Sequence, residues 1–120
     1  MNSRFRLATA AKKDIRDILD WSAVRFGESA RTRYAALILA GVGDVAADPH
    51  RPGSVSRPEL GDGARVWHLR HSRISPDALE GNVRRPRHFI LYRQEGDRVL
   101  IGRVLHESMD LIRRTPWLDA

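Results

Sequence analysis

Four histidines in the second half of the chain, His68, His71, His88 and His106, are the residues whose type and spacing suit proton transfer or metal ligation. His68 and His71 are three apart, a spacing that pairs ligands on a helix but sends them to opposite faces of a strand. The alternating text around them reads as a strand, so no metal site is expected. Adjacent strands could bring all four to one end of a sheet; the competing reading leaves them as surface or half-buried histidines with no special role. No other constellation is present: there is no Gly-rich phosphate loop, HExxH, DxD-type calcium loop, G-x-S-x-G elbow or clustered carboxylate pair. No cofactor and no metal are expected.

The strongest physical signal is a basic stripe, Arg65, Arg70, Arg73, Arg84, Arg85, Arg87, Arg93 and Arg103, interleaved with Trp67, Phe89 and Tyr92. Between Arg65 and Arg93 seven arginines face only Asp77 and Glu80, so this stretch holds +5 of the formal net charge of +6. Of 21 basic residues only Lys12 and Lys13 are lysines, which leaves 19 arginines. Guanidinium groups keep their charge and pair with carboxylates or phosphates at two points. The stripe therefore suits RNA or DNA phosphates or, equally, an acidic peptide lying along the sheet or its edge. Trp67 and Phe89 alternate as core positions do, which buries them against the helices and removes them as stacking partners.

These residues are positioned by a simple order of elements. Phe5 to Ala8 reads as an edge strand and Thr9 as an N-cap. Ala10 to Phe26 is an amphipathic helix with Ala11, Ile15, Ile18, Leu19, Ser22 and Phe26 on its apolar stripe, stopped by Gly27. Ser29 to Ala46 is a second helix, weakened by Gly41 and Gly43 and closed by Asp48-Pro49, and the short connection predicts an antiparallel hairpin. His50 to Ala64 is turn-rich, with Pro52-Gly53 and Gly61-Asp62-Gly63. Strands are expected at Arg65 to Ile74, His88 to Arg93 and Val99 to His106, the last two joined by a loop over Gln94 to Arg98. Ser75 to Pro86 reads as an exposed, mobile loop, and Met109 to Ala120 as a short helix or tail. The expectation is one α+β domain over residues 1–120: an N-terminal strand, then a helical hairpin packed on a mainly antiparallel sheet of about four strands.

Composition excludes several classes. A 120-residue chain buries about 65% of its unfolded surface and needs no staple. With no cysteine there is no disulfide, thiol nucleophile or Cys-ligated metal. Apolar runs are far too short to span a membrane, and the first residues lack the apolar core of a secretory signal. An untargeted cytoplasmic protein is expected.

Several segments carry a resemblance: Lys13-Asp14-Ile15-Arg16-Asp17-Ile18, Arg33-Tyr34, Asp48-Pro49, Phe89-Ile90-Leu91-Tyr92-Arg93, and Arg103-Val104-Leu105-His106 followed by Asp110-Leu111. In this order they resemble the ParE branch of the RelE/ParE toxin superfamily, over roughly Phe5 to Ile112. The resemblance implies the toxin of a bacterial type II toxin–antitoxin pair, associated with plasmid stabilisation and stress response and held in a hetero-oligomer by an antitoxin whose C-terminal segment wraps it. It also implies inhibition of DNA gyrase by binding rather than by bond cleavage, in line with the missing acid–base set. The Ser75 to Pro86 loop is longer than the turn usual in the family.

The sister RelE branch is a ribosome-dependent mRNA endoribonuclease using basic residues and commonly a late Tyr. Arg70 and His106 are the residues that would serve that chemistry here, but no Tyr follows Glu107 and only Arg113 and Arg114 are late basic residues. A non-toxic basic binding module of the same fold is the third reading. Target or antitoxin contacts are expected at Arg70, Arg73, Arg93, Arg103 and His106. An apolar sheet face of Val66, Ile90, Leu100 and Val104 is expected to meet a partner segment, unless Leu111 to Leu118, with Trp117, covers it.

Overall fold

The computed structural model describes residues 4–73 and 83–109. Strand β1 (Phe5–Leu7) runs straight into helix α1 (Thr9–Phe26), and helix α2 (Glu28–Ala47) returns antiparallel to it. Strands β2 (Val55–Ser56), β3 (Arg65–His68), β4 (His88–Glu95) and β5 (Arg98–His106) follow, with 3-10 turns at Pro58–Leu60 and Leu69–Ser72. The sheet has five strands in the order β1-β5-β4-β3-β2. β1 pairs parallel with β5 and every other pair is antiparallel. The expected α+β architecture is observed, with five strands where about four were expected. The extra one, β2, is a two-residue edge inside the turn-rich region, too short to leave a periodic signal.

Several boundaries move for identifiable reasons. The helix cap is Ala8, not Thr9: the Ala8 N–H continues the ladder to the Ile101 carbonyl, while its own carbonyl accepts from Lys12. Strand and helix thus share one residue, and no side-chain cap is formed. β3 ends at His68 rather than Ile74, because Leu69 to Ser72 coil into a 3-10 turn that drives Leu69 and Ser72 inward. Ile74 lies outside the described residues. β4 and β5 run on to a two-residue turn at Gly96-Asp97, tighter than the Gln94 to Arg98 loop anticipated.

The main core lies between the hairpin and one sheet face. Leu37, Ile38, Val42 and Val45 of α2 meet Trp67, Leu69, Ile90, Tyr92, Ile101 and Val104, joined by Ala11 of α1. Gly41 allows this approach, since a Cβ there would sit 2.6 Å from Leu69 Cδ2 and 3.0 Å from Ile90 Cδ1. Its cost in helix propensity is offset by close packing. A polar chain runs through the same layer: Trp67 Nε1–H donates to Ser72 Oγ at 2.8 Å, and the Ser72 hydroxyl donates to Asp44 at 2.7 Å. The Tyr92 hydroxyl donates to the Pro49 carbonyl at 2.6 Å, tying the end of α2 to the middle of the sheet.

The partner-facing apolar surface expected on the opposite side is not open. A register irregularity leaves Gly102 without an opposite residue, since Leu91 faces Arg103 and Tyr92 faces Ile101. The inward and outward sets of β5 exchange there, so Val104 packs toward the helices, while Ile90 does so as the register partner of Trp67. Leu100 is fully buried, and Val66 is half-buried beside Leu60, Ala64 and Leu91. Phe89 is buried too, but it sits opposite His68 on the face away from Trp67 and Ile90. Trp117 and the segment 111–118 lie outside the described residues, as do residues 75–82 of the expected Ser75 to Pro86 loop.

The hairpin turns on one residue. Gly27, the single connector between α1 and α2, has φ 94° and ψ 173°, a region that is essentially closed to other residues. A Cβ there would meet nothing within 4 Å, so substitution isolates the backbone term. Gly27→Ala is expected to lower stability by about 1–3 kcal/mol. Urea unfolding would register this as a lower midpoint with an unchanged slope.

Candidate functional site

The end of the sheet formed by His68, His88 and His106 lies beneath Tyr34 of α2. His88 and His106 are register partners, their rings edge to face at 5.2 Å between centroids. The Arg87 N–H donates to the Tyr34 hydroxyl at 3.3 Å, and that hydroxyl is hydrogen-bonded to His88 Nδ1 at 2.6 Å. Burial pushes Tyr34 up to about 12, so its proton stays on at neutral pH. Burial, reinforced by neighbouring His106, holds His88 down at about 4. His88 is therefore neutral at pH 7, and the pair is a fixed hydrogen bond between α2 and β4.

A second knot sits beside it. His68 Nδ1 accepts the Arg70 N–H at 3.1 Å, which places the ring proton on Nε2, 2.7 Å from Glu107. Glu107 also accepts from Arg87 at 3.0 Å. The His68 and Arg87 hydrogen bonds lower Glu107 to about 2. Of the four histidines, His68, His88 and His106 converge at one sheet end. His71 does not: it tilts over the Trp67 ring at 4.9 Å, on the 3-10 turn that replaces the end of the strand. No group of His, Asp and Glu able to hold a metal is found among the described residues.

Two concavities open on this end. The larger, about 770 Å³, is walled by Ile18, Trp21, Phe26 and Val83, floored by His88 and His106, and rimmed by arginines that include Arg33 and Arg85. Phe26 was assigned to the core stripe; instead it is 64% exposed on the last turn of α1, edge to face with Trp21, itself 55% exposed. Two large apolar residues left in solvent beside a cavity mark a contact surface rather than a core. The smaller concavity, about 310 Å³, is lined by His68, Arg70, Arg73, Arg84 to Arg87 and Glu107. Arg84, Arg85 and Arg87 border both.

The arginines expected to bind divide into two groups. Arg70 is exposed at the smaller cleft, and Arg73 reaches the Arg84 carbonyl across it. Arg103 is committed inside the fold, donating from Nε and Nη2 to Asp14 at 2.7 and 2.9 Å. Arg93 lies 3.5 Å from Glu95, which also pairs with Arg6. His106 floors the larger cavity, with Nδ1 engaged by Ser108.

With this geometry in place, the comparison with protein families is decisive. The model for the ParE toxin of type II toxin–antitoxin systems (parDE) matches residues 5–111. The chain belongs to the ParE toxin family. A comparison with curated individual proteins gives no match. Membership of a type II ParE toxin family implies an antitoxin protein as partner. No helix among the described residues is long and apolar enough to cross a membrane.

In this ParE-family chain the amino-acid pattern alone does not mark Trp21, Tyr34 and Glu107 as site residues. Trp21 carried a signal: a large aromatic among the charged positions of α1, off the apolar stripe. Tyr34 sits on the apolar stripe of α2 and shows no such sign until β4 is laid beneath it.

The His88 pKa sets a pH dependence. A histidine near 6.5 when unfolded and about 4 when folded is protonated first in the unfolded state, so stability falls as pH drops from about 6.5 to 4. Discounted for partial exposure, the loss is roughly 2 kcal/mol. Urea midpoints of wild type and His88→Gln are expected to converge between pH 7 and pH 5, the wild type losing more. Parallel lines would exclude the assignment.

Proposed function

We propose that this ParE-family toxin inhibits DNA gyrase by binding it, and that an antitoxin segment neutralises it. The observation that carries the reading is the character of the site: exposed cationic and aromatic side chains around two concavities, beside Tyr34 and His88, whose pKa values are held away from neutrality. Tyr34 at about 12 and His88 at about 4 are poor partners for proton transfer near pH 7. Arg70, Arg73, Arg84 and Arg85 are the side chains that present charge outward. They are the charged groups open to an acidic partner, whereas Arg103 holds the fold.

The larger cavity suits the antitoxin. Its walls offer apolar surface to an amphipathic segment, and Arg33, Arg84, Arg85 and Arg87 at its rim suit acidic side chains on that segment. A cytoplasmic site of action follows from a gyrase target.

Inducing the gene without its partner, and following labelled thymidine and methionine incorporation over the first minutes, tests the proposal. DNA synthesis is expected to fall first, and co-expressed antitoxin is expected to prevent the fall. Methionine incorporation failing first would instead assign the chain to mRNA cleavage, with Arg70 and His106 as its residues.

A further inference from the structure

The smaller concavity has a chemistry of its own. Arg70, Arg73, Arg84, Arg85 and Arg87 surround a space of about 310 Å³ with Pro86 as its one apolar lining residue among those described. Glu107 is the one carboxylate among the described residues lining it, and its charge is already taken by Arg87 and by the hydrogen bond from His68. Arg70, Arg84 and Arg85 are exposed and meet no carboxylate among the described residues. Arg73 is held in place by the Arg84 carbonyl rather than by an acid. Four guanidinium groups are thus gathered with their charge uncompensated by any described residue.

We infer that this cleft, formed by Arg70, Arg73, Arg84 and Arg85, binds the phosphate backbone of duplex DNA. Three kinds of acidic ligand differ in what they require beyond positive charge. A protein segment needs apolar anchors at the centre of its contact, with charge at the rim, and the cleft reverses that order. Single-stranded nucleic acid needs aromatic faces on which bases stack; no Trp, Tyr or Phe is among the described lining residues, and the His68 ring is held by hydrogen bonds at both nitrogens. A duplex keeps its bases stacked and carries its phosphates outermost, where clustered cationic side chains meet them without apolar or aromatic contacts. The site thus holds DNA without reading its sequence. It goes beyond the gyrase reading, since it assigns a contact to the nucleic acid itself.

The test measures fluorescence anisotropy of a labelled 20-base-pair duplex with the full chain and no gyrase, so its result is independent of the target. Four phosphates neutralised predict a slope of log affinity on log salt between about −3 and −4, hence about a hundredfold loss from 50 to 200 mM KCl. The triple variant Arg70→Gln, Arg84→Gln, Arg85→Gln is expected to lose at least about tenfold in affinity at 50 mM and to flatten the slope to about −1. The matching lysine triple is expected to keep most of the affinity, because charge rather than fork geometry is used. Lys12→Gln, Arg16→Gln, Arg98→Gln, equal in lost charge and distant from the cleft, is expected to bind like wild type. Absence of duplex binding at 50 mM, or equal weakening by both glutamine triples, would overturn the inference. Binding of single-stranded RNA in place of the duplex would overturn it in favour of a message-binding cleft.

Discussion

Everything at the candidate site depends on how α1 is fastened to β5. The parallel ladder with β1 stops at Leu7 opposite Ile101, yet β5 continues to His106, so its N–H groups beyond that point face a missing strand. Asp14, on the second turn of α1, fills the gap: its carboxylate accepts the Val104 N–H at 3.0 Å and both Arg103 donors. One side chain therefore ends the ladder, pairs a largely buried guanidinium and sets the position of the helix along the strand. Gly27 then turns the chain within one residue, so α2 inherits that position and Tyr34 is delivered over His88. If Asp14 held α1 differently, the large cavity would lose its walls.

The two concavities show how one short segment serves surfaces of opposite character. Arg84, Arg85 and Arg87 border both the aromatic cavity and the cationic cleft. Any acidic segment seated in the first draws on charges that the second also uses. Neutralisation of a binding toxin requires no more than this, since occupancy and charge compensation act on the same side chains.

Much of the architecture was legible because it rests on period and punctuation. The 3.6-residue pattern of α1 and α2, Gly27, Asp48-Pro49 and the β-rich runs around Gly96-Asp97 report local structure directly. What escaped depends on chain segments meeting at a distance. The two-residue β2 exists only because β3 pairs with it, and the 3-10 turn at Leu69 is imposed by burial of Leu69 and Ser72. The irregularity at Gly102 reverses the faces of β5 and carries Val104 to the helix side, and Ile90 faces the helices because β3 sets Trp67, not His68, opposite it. The site was legible in kind but not in membership. Three of the four histidines and the arginine run were visible as residue types, whereas Arg103 looks like surface until Asp14 is found beside it, and Trp21 looks like an anomaly until the cavity opens next to it.

We propose that the toxin acts as a binder, held in a complex with gyrase and consumed one for one. Titrating purified gyrase with the full chain at concentrations well above the dissociation constant, and following supercoiling, tests it most directly. A binder gives loss of activity that breaks at a fixed molar ratio near one toxin per toxin-binding site and is reversed by adding antitoxin. Inactivation of many gyrase equivalents by one toxin, persisting after antitoxin is added, or no loss of supercoiling at excess toxin, would contradict the account.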